Sequence, residues 1–335
     1  MKNHIKFIAG LSALFAVSAA TAQDNVTKPV GFRTESIKAG VFNLISNQLT
    51  EAVSAAGAFT ALDGVTAADD NADFTTSLAG EETWIVQITS GAAAGTISEV
   101  AAVASATSIT TNDDLQAAGV VAEDTYEIRA AKTLADIFGA ANEAGLVSGA
   151  TLPSSDAIWV PNGVGGFDIY FYKTGGLGGS GWRLSTSLTA DASLATIVYT
   201  DSFFIQKQAG ADLDLVLIGH VPTRAATVPL LTGFNFISNV AVVGGTLNAT
   251  GLLDQLQRGP TTAASDIVWL TNPAVPGGYL QYFPKEGGLG GSGWRLSTSL
   301  TADAGDAPLT SGVIIQRRGA PANANVGLPD FYADL

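Results

Sequence analysis

The sequence predicts an all-β protein: two related antiparallel β-sandwich or barrel-like domains, a small β insertion in the first, and a few short helices. Three observations carry this. The eighteen residues GGLGGSGWRLSTSLTADA occur twice without a difference, at Gly175–Ala192 and Gly287–Ala304, inside a longer imperfect duplication. The apolar residues fall in short runs separated by Gly, Pro, Asn and Asp, the punctuation of strands and turns. Charged residues make up only 14% of the chain while glycine reaches 38, a composition that suits frequent turns better than helices.

The elements follow in chain order. Residues 1–22 carry Lys2 and Lys6, an apolar run from Phe7 to Ala20 and the small-residue signature Ala20-Thr21-Ala22, which together read as a secretory signal peptide with the mature chain starting near Gln23. The first domain is expected over 23–210. It opens with FNLISN (Phe42 to Asn47), whose period of two marks a strand, and LADIF (Leu134 to Phe138) follows as a short helix. SDAIWV (Ser155 to Val160), IYFYK (Ile169 to Lys173), the repeated block and SFFIQK (Ser202 to Lys207) complete it. The second domain, 211–322, answers each in the same order: FNFISN (Phe234 to Asn239), LLDQL (Leu252 to Leu256), SDIVWL (Ser265 to Leu270), QYFPK (Gln281 to Lys285), the block, and GVIIQR (Gly312 to Arg317). A tail, 323–335, remains. Leu134 lies 87 residues beyond Asn47, but Leu252 only 13 beyond Asn239. An inserted β module at about 60–130 accounts for the excess, which is far above ordinary loop length.

Charge and composition narrow the function. Thirty acidic residues face 16 basic ones, and loss of Lys2 and Lys6 with the leader makes the balance more negative still. Nucleic-acid binding, which needs cationic contacts to phosphate, is thereby disfavoured. The chain has no cysteine, so neither a lipid-anchored terminus nor a disulfide framework is expected. No later stretch reaches the roughly 20 apolar residues of a membrane-spanning helix. The strands also lack the sustained lipid-facing alternation of an outer-membrane barrel. The expected location is exported: periplasmic, outer surface or extracellular. The expected partner is a protein or polysaccharide surface, and the oligomeric state is left open.

Within the block, Gly176 to Gly181 satisfies the dinucleotide pattern G-x-G-x-x-G in form. Trp182, Arg183 and a Ser/Thr-rich stretch follow where a helix N-terminus would have to receive pyrophosphate, so nucleotide binding is not expected. Two readings remain. Trp182, Arg183, Trp294 and Arg295, extended by Tyr170 and Tyr282, form tandem carbohydrate sites in which indole stacks on a sugar ring and guanidinium bonds its hydroxyls. Alternatively the tryptophans cover a glycine bend, and the arginines pair with Asp191 and Asp303.

His220 is the only histidine left after the leader, which rules out a multi-histidine zinc site, and no G-x-S-x-G elbow presents a serine to it. No cofactor is called for. The one metal candidate is calcium at Asp69, Asn71 and Asp73, which begin like a D-x-[DN]-x-[DN] loop. Phe74 then stands where the turn glycine belongs and Gly80 where the bidentate Glu belongs. The acids that recur between domains, Asp136 with Asp254, Asp156 with Asp266 and Asp191 with Asp303, all sit at element boundaries, where Asp caps helices and closes turns.

TKPVGF (Thr27 to Phe32), FNLISN, VQITSGAAAG (Val86 to Gly95), DTYEIR (Asp124 to Arg129), TLADIFG (Thr133 to Gly139) and the G-W-R-x-S block together resemble a family of secreted bacterial β-repeat proteins with no assigned function. The resemblance covers most of the mature chain. It implies export and a β-repeat architecture and supplies no catalytic residue. The sequence therefore points to an exported, non-enzymatic structural or interaction protein of the cell envelope, surface or extracellular matrix. A carbohydrate-binding protein is the alternative, and a glycan-active hydrolase the third reading.

Overall fold

A computed structural model describes residues 29–80 and 82–335. The signal-peptide expectation and the first residues of the mature chain lie outside the described residues. Strand dominates, at 42% against 7% helix, in several antiparallel sheets that include a curled half-barrel.

Each repeat builds a five-stranded antiparallel sheet. In the first, Gly181–Leu184, Phe167–Lys173, Ala157–Pro161, Ser202–Gln206 and Phe42–Ser46 lie side by side in that order. In the second, Gly293–Leu296, Tyr279–Lys285, Ile267–Thr271, Gly312–Arg317 and Gly233–Ser238 repeat the order. The registers coincide: Ser46 faces Ser202 as Ser238 faces Gly312. The Asn43 amide donates to the carbonyls of Lys38, Val41 and Ile205, and the Asn235 amide to those of Leu231, Gly233 and Ile315. An asparagine at this turn fixes the entry to the strand by replacing backbone partners.

A two-stranded ribbon covers each sheet. Val30–Ile37 pairs with Leu213–His220, and Ala226–Leu230 with Ala322–Val326. The strand Leu213–His220 thus lies past the expected boundary at 210 yet pairs with the start of the first repeat. Ala322–Val326, most of it in the expected tail, closes the second ribbon. Leu215 and Leu217 join the first core with Trp182, Phe203 and Phe138, while Val228, Ala324 and Val326 join the second with Trp294 and Ile315.

The insertion is a seven-stranded sheet running from Val53–Ala58 to Thr125–Ala130, slightly wider than the expected 60–130. It has its own core, with Phe59 stacked on Tyr126 at 4.4 Å. Leu134–Phe138 is the expected helix, closed by a Thr133/Asp136 capping box. Its counterpart shortens to a single 3₁₀ turn, Leu252–Asp254, entered through left-handed Gly251 with the Leu252 amide bonded to the Thr250 hydroxyl.

The two five-stranded sheets meet through the faces opposite their ribbons. Phe236 packs against Phe167 and Phe204 at 5.1 and 5.5 Å. At the centre the equivalent serines Ser46 and Ser238 bond to each other, Oγ to Oγ at 2.9 Å. The approach there is close: a Cβ on Gly312 would lie 2.7 Å from Leu44 Cγ.

Candidate functional site

The repeated block folds back on itself. Lys173, one residue after Tyr172 at the end of its strand, is 3% exposed. Its Nζ donates to the carbonyls of Gly175 at 2.6 Å and Gly179 at 3.3 Å, and also to that of Leu177. Lys285 does the same with Leu289 at 2.6 Å, Gly291 at 3.1 Å and Gly287. The loop is therefore a ring of carbonyls closed around an ammonium group of its own chain. Glycine is needed for this wrapping: Gly178 has φ +84°, and a Cβ on it would stand 2.8 Å from the Leu188 carbonyl.

Arg183 completes the lock from the other side. Its guanidinium donates to the carbonyls of Trp182 and Gly178, both at 2.7 Å, and to Asp191 Oδ1 at 3.3 Å. Arg295 reaches the carbonyls of Trp294 at 2.7 Å and Gly290, and Asp303 at 3.0 Å. Trp182 and Trp294 are both 0% exposed. Trp182 lies 5.3 Å from Tyr172 and 5.7 Å from Phe138, and its Nε1 donates to the Gly139 carbonyl at 2.9 Å. The sugar-stacking role for Trp182, Arg183, Trp294 and Arg295 is corrected by this geometry. Both rings are in the core, and both guanidiniums are committed to backbone carbonyls. The lysines were missed in the sequence, although each repeat carries one just before its glycines.

Tyr170 is half-buried, and burial, aided by the Asp168 charge, pushes its hydroxyl pKa up. Tyr282 is more enclosed and is shifted upward by burial. It borders a shallow depression of about 340 Å³ with Leu296, Asp303 and Asp306. Tyr282 belongs to the second core with Trp294 and shows only its edge to this depression.

The calcium candidates serve local structure. Asp69 is buried, accepting the Tyr126 hydroxyl at 2.7 Å and the Asn71 amide N–H at 2.9 Å. Asp73 caps the helix Phe74–Ser77, accepting from the Thr75 and Thr76 hydroxyls at 2.7 and 2.8 Å. The Asp73 pKa falls because these hydrogen bonds, the Thr75 hydroxyl first, favour the carboxylate. Among the described residues no group of three or more acids or histidines is arranged to hold a metal ion.

The recurring buried acids tie strands together. Asp156 accepts from Lys207 at 2.9 Å and from the Val147 and Gln208 amides at 2.7 Å; Asp266 accepts from Arg317 at 3.1 Å and from the Gln257 and Arg318 amides.

One concave surface had no sequence signal. A groove of about 370 Å³ runs along the outer face of the first ribbon, with Val30, Val216 and Ile218 as floor and Lys132, Asp136 and His220 at its rim. Glu51 also borders it and forms an ion pair with Lys132. These residues come from four separate segments, so only the folded ribbon brings them together. No family model, curated protein or solved structure matches the chain.

Proposed function

We propose that the protein is an exported, non-enzymatic structural or interaction component of the cell envelope, surface or extracellular matrix. One observation carries this reading. In both repeats the residues best suited to chemistry or ligand capture (Lys, Arg and Trp of the repeated block) are turned inward to fix a loop. What the molecule offers outward is β surface, including the apolar face of the first ribbon. Export rests on the leader-like N-terminus and on the family resemblance.

The test is to express the full chain in a Gram-negative host and to identify the N-terminus of the product by mass spectrometry. A mature terminus near Gln23, with the protein in the periplasm or accessible to protease on intact cells, is the expected result. A full-length product retained in the cytoplasm would sink the reading.

A second reading is favoured by the depression beside Tyr282. The accessible edge of Tyr282 beside the carboxylates of Asp303 and Asp306 offers a sugar a small apolar contact and acceptors for its hydroxyls. A polysaccharide panel against the wild type and Tyr282→Ala separates the two. Binding that the substitution abolishes supports the carbohydrate reading, and no binding to any glycan removes it.

A further inference from the structure

The outer edge of the strand Val30–Ile37 has no partner strand among the described residues. The Val221 amide donates to the Pro29 carbonyl at 2.8 Å, which places Pro29 at a hydrogen-bonded position of the antiparallel ribbon. By alternation Gly31, Arg33, Glu35 and Ile37 bond to the partner strand. The N–H and C=O groups of Val30, Phe32, Thr34 and Ser36 then point away from it. The same alternation turns the His220 backbone outward on the other edge, where it bonds to Thr50 in both directions. That edge is therefore partly covered and the Val30–Ile37 edge is open. An open eight-residue edge next to exposed Phe32 and Ile218 (74% and 61% accessible) is a template for another strand.

We propose that this edge pairs antiparallel with the same strand of a second copy of the chain, forming a two-fold dimer with a continuous four-stranded ribbon. Charge selects the partner and the register. Arg33 and Glu35 lie on the partly covered side of the strand, joined Nε to Oε1 at 2.7 Å; Arg33 Nη1 donates to Gln48 Oε1 at 2.6 Å and to the Val242 carbonyl at 2.8 Å, which leaves Nη2 to reach across the axis. With Thr34 on the two-fold axis, Arg33 of each protomer faces Glu35 of the other. The four charges then alternate in sign around the axis. A shift of one residue pair toward the N-terminus would set Arg33 against itself, and like charges directly opposite are unfavourable. A self-complementary edge of this kind is the requirement of an isologous interface. The second ribbon shows that such an edge is used within the fold. There the Thr227 amide donates to the Gly95 carbonyl at 2.8 Å, and Thr96 bridges to Thr227 from the insertion. The pairing stands on the ribbon alone and is independent of the reading as an exported component.

The experiment is sedimentation-velocity ultracentrifugation of the mature chain over a concentration series, with circular dichroism to confirm folding. The wild type is expected to reach twice the monomer mass. Thr34→Pro is expected to remain folded, because its N–H faces away from the ribbon partner, and to sediment as a monomer at every concentration. Arg33→Glu and Glu35→Arg are each expected to be monomeric alone and to form a dimer when mixed, since the mixture restores opposite signs in both cross-strand pairs. A wild type that is monomeric throughout, a dimer indifferent to Thr34→Pro, or folded charge variants that do not associate on mixing would overturn the proposal.

Discussion

The repeats agree in the loop that folds back on itself and have diverged in their ribbons, as a comparison of blocks and ribbons shows. The two glycine loops agree in the bonds of their cations, Lys173 with Lys285 and Arg183 with Arg295, and both bury their indole, although Trp182 Nε1 bonds the Gly139 carbonyl and Trp294 Nε1 has no partner among the described residues. The two ribbons share only their geometry. The outer face of the second carries Thr227, Pro229, Asn323 and Asn325, and the insertion covers its edge. The first presents Val30, Phe32, Val216 and Ile218, and its edge is open. A loop that must close three carbonyls around one ammonium tolerates little change. A ribbon's outer face answers only to what lies against it. Leu177 and Leu289, like Leu188 and Leu300, are exposed in these loops, and nothing in the fold explains their identity.

The largest expected effect tests whether the two locks are equivalent. Trp182→Ala and Trp294→Ala should each destabilise their own repeat by about 3–5 kcal/mol, the range for truncating a fully buried indole. Urea unfolding of the two variants should give similar losses. If one were neutral, that loop would not be anchored by its ring. In the wild type, acrylamide should quench neither indole.

Lys173→Met and Lys285→Met come next. Each keeps the length of the side chain and removes the charge, leaving three carbonyls without their shared donor. Hydrogen bonds to charged groups contribute about 1.5–3 kcal/mol, so a loss of about 3 kcal/mol is expected from either variant. Methylammonium added to Lys173→Ala should recover part of the stability by occupying the same ring of carbonyls. Equal behaviour of the two lysines would establish the glycine loop as an ammonium-binding structure in both repeats.

The repeats also differ at one desolvated acid. Asp201 stands where the second repeat has Ser311, and burial pushes its pKa up to about 6. Folding therefore favours the protonated acid. The Asp201 contribution is fully present below its unfolded pKa of about 4 and is lost as pH rises through about 6. Asp201→Ser should accordingly raise stability by about 2 kcal/mol at pH 7.5 and change it little at pH 4. Urea midpoints of wild type and variant across this range check the sign. A gain that grows toward low pH would contradict it.

Much of the architecture is legible in the chain. FNLISN and FNFISN announce equivalent strands because Asn43 and Asn235 perform the same turn, and Asp156 and Asp266 recur because each receives a cation from the C-terminal end of the neighbouring strand, Ser202–Gln206 or Gly312–Arg317. The ribbons were not legible. Leu213–His220 pairs with residues nearly two hundred positions earlier, and Arg33 and Glu35 on its partner break the apolar alternation that marks a covered strand. The site was misjudged for a related reason. Tryptophan beside glycine reads equally as an exposed platform or as a covered bend, and the deciding group, Lys173, is a residue type that sequence patterns place on the surface. The groove beside the first ribbon left no local trace, since Val30, Glu51, Lys132 and His220 meet only through tertiary pairing.

The smallest expected effect on stability bears most directly on the ribbons. Phe32→Thr gives the first ribbon the polar outer face of the second. Phe32 is mostly exposed, so the monomer should change by no more than about 0.5 kcal/mol in urea unfolding. Its consequence should instead appear in association. If the outer face contributes to the contact between protomers, the dimer should require a higher concentration, while the Thr34-centred hydrogen bonds and the Arg33–Glu35 pairs hold the register. If Phe32→Thr destabilised the monomer by several kcal/mol, the first ribbon would be covered within its own chain, and the contrast between an open and a covered ribbon would fail.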